Sequence, residues 1–314
     1  MTPSTIPAAI AAKKSLIIDY EYKTRKVTER LSSMGASEFM LTGGEGIYTA
    51  MRTISGSRRV FLLDDHLQRI SDSHKMVLAA DKEDGRQSPE HWRELLVPLI
   101  RRGLDSFGGG QDGDDRKITV LVGNDHISMQ LTRIKSLDDG SCWVKFVSGK
   151  RENPEAKNLQ WVHERETLEK LIVPPINEVV LADPKETPGG RFYEGISSNF
   201  FTTRRALETR EEDAQPEYRN YELVSAPRDS VLLGTIMKLV LRICERDNIN
   251  VVYEPKVDFH RWTGAFVSST SRLVLPVSRI ITDKCEHHLN ADDPLVCHLK
   301  ESVKSMAMEQ STEI

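Results

Sequence analysis

The β-favouring runs of this 314-residue chain are short, and they do not alternate with helical runs. A doubly wound parallel sheet needs strand–helix–strand alternation, and its nucleotide-binding form opens on a GxGxxG turn. The chain has neither, so a Rossmann arrangement is disfavoured. The runs "KITVLVG", "ISMQLTRI" and "WVKFV" come in close succession. "NEVVLAD", "NFFTT", "INVVYE", "GAFVSST" and "VSRIIT" follow later, and each is bounded by turn residues. This pattern predicts a mixed α/β (α+β) chain.

Helices are predicted between these runs. "DDHLQRISDSHKMVL" starts with Asp64 or Asp65 placed to cap it. "SPEHWRELLVPLIRRGL" opens on Ser88–Pro89, a cap and first-turn pair, and Pro98 is expected to kink or divide it. "RDSVLLGTIMKLVLRICERDN" carries Val231, Leu232, Ile236, Leu239, Val240 and Ile243 at helical spacing. "DPLVCHLKESVKSMAM" is a closing helix. "EGIYTAMRTISGSRRVFLL" reads as a hairpin about "SGS", and "GGGQDGDD" (108–115) as a loop. Residues 1–37 read as a flexible arm. The polar stretch "SGKRENPEA" (148–156) is the expected boundary. It separates a small N-terminal domain, 1–149, from a larger one, 150–314.

The length suits two domains and a large buried core. A formal charge of -4 lacks the basic excess of a nucleic-acid binder, and no apolar run approaches a membrane span. The four cysteines, Cys142, Cys244, Cys285 and Cys297, are too scattered for a disulfide framework. With an N-terminus unlike a signal peptide, they lead us to expect a cytoplasmic protein. "CEHH" and the "CH" at Cys297–His298 offer soft ligands, including His287 and His288, but match no standard zinc spacing. No metal is expected.

Five islands carry candidate chemistry: Lys157 in "EAKNLQWVHERE", Glu194 in "YEGISSNFF", Gly234–Thr235 in "LLGTIMK", Ser269–Thr270 in "AFVSSTSRLVLPV", and His66 with Arg69 in "DDHLQRI". Each alone reads as ordinary surface, loop or helix chemistry. Together they form a set. A helix N-terminus, hydroxyls and one Arg make an anion clamp. A Schiff-base lysine and a carboxylate facing a pyridinium nitrogen complete what pyridoxal 5'-phosphate requires.

The order of these islands resembles the fold-type IV pyridoxal-phosphate enzymes, which include branched-chain aminotransferases, D-amino acid aminotransferases and aminodeoxychorismate lyases. "EGIYTAMR", "HLQR", Lys157, "EGISSNFF", "GTI" and "FVSSTSRLVLPV" follow in the family's order across residues 38–305. The resemblance implies a small N-terminal α+β domain and a larger domain with a β-barrel-like core. It implies that Lys157 is catalytic and forms a Schiff base with the cofactor. Glu194 would pair with the ring nitrogen, and Ser197, Ser198 and Asn199 would build a turn around the ring. Arg69, Gly234, Thr235, Ile236, Ser269 and Thr270 would hold the phosphate, and Tyr48 would line the substrate side. It further implies an amino acid and a 2-oxo acid as partners, and a homodimer. Transamination is the expected reaction. The alternatives are a lyase that eliminates pyruvate and a non-catalytic cofactor-binding homologue.

The chain departs from the family in three places. His126 has no Arg two residues before it, so the Arg-x-His carboxylate trap of D-amino acid aminotransferases is missing. Trp161 and His163 occupy the neighbourhood where branched-chain enzymes carry a Tyr after the Lys. "GTI" exchanges Thr and Ile relative to "GIT". The substrate and its stereochemistry stay open, because they depend on loops such as 124–142 and 184–190.

Overall fold

The computed structural model describes residues 15–56, 58–78, 88–108, 113–134, 140–183, 190–207 and 216–314. The first fourteen residues, Ser57 of the "SGS" turn, the centre of "GGGQDGDD", residues 135–139 of the 124–142 stretch and 184–189 of the 184–190 loop lie outside them.

The elements in chain order begin with β1 (Ser15–Glu21), β2 (Val27–Ser32), α1 (Ala36–Leu41), β3 (Ile47–Arg52) and β4 (Arg59–Phe61). Next come α2 (Leu63–Val77), α3 (Pro89–Ser106), β5 (Asp115–Val122), β6 (His126–Ile134) and β7 (Cys142–Ser148). After α4 (Gln160–Glu164) and α5 (Glu166–Glu169) follow β8 (Ile176–Asp183), β9 (Arg191–Gly195), β10 (Asn199–Arg205) and β11 (Tyr221–Ser225). The chain ends with α6 (Thr235–Arg246), β12 (Val251–Val252), β13 (Gly264–Ser269), β14 (Leu273–Ile281), β15 (Glu286–His288), α7 (Pro294–Glu309) and β16 (Ser311–Glu313).

Two compact units result. One holds residues 15–134, Ala156–Glu164 and Ala307–Ile314, and the other holds 140–155 and Arg165–Met306. A single cut at 149–150 therefore does not describe the division. Strand β7 precedes that point yet pairs with β14 and β8 of the second unit. The segment around Lys157 follows it yet hydrogen-bonds to β3 of the first: Tyr48 N donates to Lys157 O at 2.9 Å and Leu159 N to Gly46 O at 2.8 Å.

The first unit is built on an antiparallel sheet in the order β2-β1-β6-β5-β3. Side chains alternate across a strand, so β1 serves both faces. Leu16 and Ile18 join the cluster formed with Leu67 and Ile70 of α2 and Trp92, Leu96 and Ile100 of α3. Ile17 joins the opposite cluster, with Phe39 of α1, Leu159 just before α4 and Val162 within it. Each such buried Leu or Ile contributes about 1.5–3 kcal/mol. That burial corrects the reading of residues 1–37 as an arm, because 15–32 are a hairpin whose first strand pairs with β6.

Local expectations fare unevenly. Ser88 caps α3 by accepting from His91 N, with Pro89 in its first turn. Pro98 does not divide the helix, whose buried Trp92, Leu96, Leu99, Ile100 and Leu104 continue past it. Neither Asp64 nor Asp65 caps α2. Both lie in its first turn, and the cap position is Leu62 in the left-handed region at φ 52°. The hairpin about "SGS" shrinks to one bridge, Thr53↔Val60, because β3 pairs with β5 and β4 with β16.

The second unit contains a closed sheet. Strands β10, β13, β14, β7, β8 and β9 pair in sequence, and β9 returns to β10. Phe146, Val180, Phe192, Phe200, Val267 and Val277 fill its core. The helix expected over 228–248 starts only at Thr235, with Gly234 as its N-cap. Ile236, Leu239, Val240 and Ile243 of α6 are buried, as their spacing predicted. Among the described residues no helix is long and apolar enough to cross a membrane.

Candidate active site

In the first unit, β3, α2 and the segment before α4 bring Tyr48, Arg69 and Lys157 into one neighbourhood. Lys157 is held by its backbone on both sides. Its N–H donates to Ser73 Oγ at 3.1 Å, its carbonyl accepts from Tyr48 N, and the next residue, Asn158, bridges to Ile47. Its Nζ stands 4.5 Å from the centroid of the Tyr48 ring, within cation–π range.

Arg69 is buried. Its Nη2 reaches Thr49 Oγ1 and lies 3.0 Å from His66 Nδ1, while Thr49 Oγ1 and His66 Nδ1 are 2.9 Å apart. His66, Arg69 and Ser73 lie three and four residues apart, on one face of α2. Burial lowers the Arg69 pKa from its ordinary value to about 10, with Tyr48 and Asp65 opposing that shift. The guanidinium is thus a cation at neutral pH. Its Nε has no hydrogen-bond partner among the described residues.

In the second unit, Glu194 is the penultimate residue of β9 and Asn199 the first of β10, and the two are register partners. Glu194 Oε2 accepts from Leu232 N at 3.0 Å, and Asn199 Nδ2 donates to Leu232 O at 2.7 Å. Glu194 Oε1 lies 3.8 Å from Arg151 Nη1, with both side chains buried. A buried carboxylate needs a compensating charge, and Arg151 provides one that sequence reasoning missed.

The segment held at Leu232 leads directly into α6. The first N–H groups of a helix have no intrahelical partner, and no side chain caps this one. A Cβ at Gly234 would overlap Asn199 Oδ1, so glycine keeps the entrance open. Thr235 Oγ1 lies 3.4 Å from Thr270 Oγ1, which brings the helix start to the β13–β14 turn. Thr235 and Ile236 are buried, and Ser269 Oγ accepts from Arg272 N at 3.3 Å. Ser268, one residue before the predicted pair, has a buried Oγ without a partner among the described residues.

Ser198 lies in the turn between β9 and β10. Its hydroxyl donates to Glu178 Oε2 at 2.8 Å, as that of Ser197 does at 2.7 Å. Sequence reasoning gave no role to Glu178, Arg272, Ser73 or Thr49, although Thr49 and Arg272 lie within "EGIYTAMR" and "FVSSTSRLVLPV" and Ser73 stands at helical spacing from Arg69. The positions that departed from the family also find places. Trp161 is buried, His163 Nε2 contacts Gly43 O at 3.1 Å, and His126 is exposed at the start of β6.

These features fit a phosphorylated cofactor. In the second unit the uncapped helix start lies beside the Thr235 and Thr270 hydroxyls, where a phosphate would find N–H and O–H donors. Among the described residues no group of three or more His, Cys, Asp or Glu side chains could hold a metal. Cys285 Sγ and His287 Nε2 stand 3.0 Å apart as a pair.

Among curated protein sequences none matches this chain. Among solved structures, a branched-chain aminotransferase from the thermophilic archaeon Thermoproteus uzoniensis with norvaline aligns at 15% identity, TM-score 0.64, over 96% of this chain and 98% of its own. A fold IV-transaminase from Curtobacterium pusillum aligns at 15% identity, TM-score 0.63, over 94% and 99%. The PLP-bound form of a hypothetical aminotransferase from Mycobacterium tuberculosis aligns at 14% identity, TM-score 0.61, over 91% and 98%. At such identities the likeness is one of fold. The family pattern described as amino-transferase class IV matches residues 46–280. The chain therefore belongs to the class IV aminotransferases, a family that depends on pyridoxal phosphate.

Proposed function

We propose that this chain is an aminotransferase that moves an amino group between an amino acid and a 2-oxo acid, with Lys157 as its catalytic residue. The observation that carries the reading is the start of α6. Gly234 leaves it open, Thr235 and Thr270 flank it, and Glu194 and Asn199 fix the preceding Leu232.

Pyridoxal phosphate supplies an electron sink for charge developed at the substrate α-carbon. The residues divide the remaining work. Lys157 Nζ would take the proton leaving that carbon and pass it to the carbon that takes over the amino group, and the second half of the exchange would run that transfer in reverse. Tyr48, whose ring packs against Nζ, restricts where the ammonium can point. Glu194 gives the ring nitrogen a negative partner. Arg69, the N–H groups of Thr235 and Ile236, and the hydroxyls of Ser269 and Thr270 hold the phosphate dianion. Gly234 lets it approach the backbone, and Ser198 and Asn199 hold the turn beside it. All four cysteines are free thiols, which accords with a reducing, cytoplasmic setting. The assembly we expect is a homodimer, and a monomer mass by light scattering at micromolar protein would refute it.

The test is a visible spectrum of wild type beside Lys157→Ala. Wild type should be yellow, and borohydride should bleach it with a covalent adduct on Lys157 that the variant lacks. A panel of L- and D-amino acids should then convert the bound cofactor to its amino form with one group of donors. Release of pyruvate without that conversion would make the chain a lyase. A protein that takes up no pyridoxal phosphate would overturn the reading.

A further inference from the structure

Glu178, on β8, is fully buried, yet none of the motif positions includes it. Its carboxylate receives four hydrogen bonds. Oε2 accepts from Ser197 Oγ at 2.7 Å, Ser198 Oγ at 2.8 Å and Arg272 Nη1 at 2.6 Å, and Oε1 accepts from Val179 N at 3.1 Å. The first two donors belong to the turn between Glu194 and Asn199. The third comes from the turn that carries Ser269 and Thr270. Arg272 is itself fixed twice, since its Nη2 donates to Asn177 O at 2.9 Å and its backbone N–H to Ser269 O at 3.2 Å. Behind the carboxylate, a Cβ at Gly195 would overlap Ser198 Oγ and stand 3.1 Å from Glu178 Cδ.

We propose that Glu178 and Arg272 are positioning residues that tie the Glu194–Asn199 turn to the Ser269–Thr270 turn. They set the spacing between the group that meets the cofactor ring and the group that meets its phosphate. This rests on the cofactor reading above. Neither residue is among those that would hold the cofactor. A charge-assisted, multiply hydrogen-bonded pair is short and directional, which suits it to fix one turn against the other. The benefit is that of a bidentate site. A ligand that engages both turns gains from their fixed separation, whereas one that engages a single turn does not.

The test compares Glu178→Gln, Arg272→Ala, Arg272→Lys and the Glu178→Gln/Arg272→Ala double variant. Apoprotein is titrated with pyridoxal phosphate and, separately, with inorganic phosphate, and folding is checked by circular dichroism. Pyridoxal phosphate affinity should fall about tenfold or more in each of the first two variants. It should fall little further in the double variant, and Arg272→Lys should recover part of the loss. Phosphate affinity should stay within about twofold, because the backbone bonds from Arg272 to Ser269 survive removal of the side chain. The two single variants change net charge in opposite directions. A field effect on the anion would therefore separate them, whereas loss of the tether weakens both alike.

Unchanged pyridoxal phosphate affinity in the variants would overturn the inference, as would equal weakening of both ligands alongside a lowered Tm. If Glu178→Gln does not fold, Arg272→Ala, at a partly exposed position, decides the matter alone. Wild type that takes up no pyridoxal phosphate would refute the functional reading and this inference with it. Wild type and variants that bind it equally well would refute this inference only.

Discussion

Glu194 and Asn199 face each other across β9 and β10, and their side chains grip opposite ends of one residue, Leu232. The carboxylate takes its N–H and the amide covers its carbonyl. Both motif residues thus have a structural task that no cofactor is needed to reveal. They hold the strand-to-helix segment that ends at Gly234. Asn199→Ala should remove this donor and leave the Leu232 carbonyl its bond from Gly234 N at 2.8 Å, at a loss of about 0.5–1.5 kcal/mol. Thermal unfolding should shift down by several degrees, in apoprotein as well as with cofactor. Asn199→Asp, which supplies no amide donor, should fare no better. A Tm unchanged in Asn199→Ala would remove the amide from this role.

Gly234 should be intolerant for reasons of space. An added Cβ overlaps Asn199 Oδ1, so either the amide or the helix entrance must shift. Overpacking of this kind destabilises by about 1–3 kcal/mol. Gly234→Ala should also lose phosphate affinity, because the shift falls on the open N–H groups. Gly35, the N-cap of α1, is the control, since a Cβ there meets nothing within 4 Å. Gly35→Ala should leave phosphate binding unchanged when both variants are titrated by calorimetry.

What the sequence revealed and what it hid separate by distance along the chain. Ser88–Pro89 and the α6 stripe were legible because their partners lie within a few residues. The placement of Lys157 was not, because the bridge Ile47↔Asn158 joins segments more than a hundred residues apart. Glu178 and Arg272 are separated by 94 positions; Glu178 lies outside the motifs, and Arg272 lies inside "FVSSTSRLVLPV" with nothing there to name its partner. The start of α6 was misplaced because Val231 and Leu232 continue the apolar spacing. Their backbone is instead held outside the helix by Glu194 and Asn199. The hairpin at 15–32 was overlooked because Leu16–Ile18 is a short apolar run beside a polar arm, and only pairing with β6 explains it.

The thiols should divide by burial. Desolvation pushes Cys142 and Cys244 up to about 12, while Cys285 is exposed and burial raises Cys297. At pH 8, Ellman's reagent should label Cys285 first, and Cys142 and Cys244 only after denaturation. A thiol whose folded pKa is raised favours the native state fully below its unfolded value, near 9. That contribution is lost as pH rises towards about 12. Urea midpoints should therefore fall across this alkaline window, and they should fall less in Cys244→Ser. Rapid labelling of all four thiols in native protein would contradict the burial.

Arg69 makes the anion response depend on pH. A base whose folded pKa lies at about 10, below its ordinary value, is held by the fold in its neutral form more readily than the unfolded chain holds it. Below pH 10 the apoprotein therefore carries a desolvated cation, an unfavourable effect that decreases as pH rises through 10 towards the ordinary arginine value. A bound phosphate offsets that term by giving the guanidinium a partner. Inorganic phosphate should raise the apoprotein Tm at pH 7–8, and the increment should shrink as pH passes about 10. Arg69→Met should abolish the increment with little effect on the Tm without phosphate, since Thr49 Oγ1 and His66 Nδ1 remain within hydrogen-bond distance of each other. A phosphate increment that persists in Arg69→Met would assign the anion to other residues, and one that stays constant from pH 8 to pH 11 would show that the Arg69 charge does not govern it.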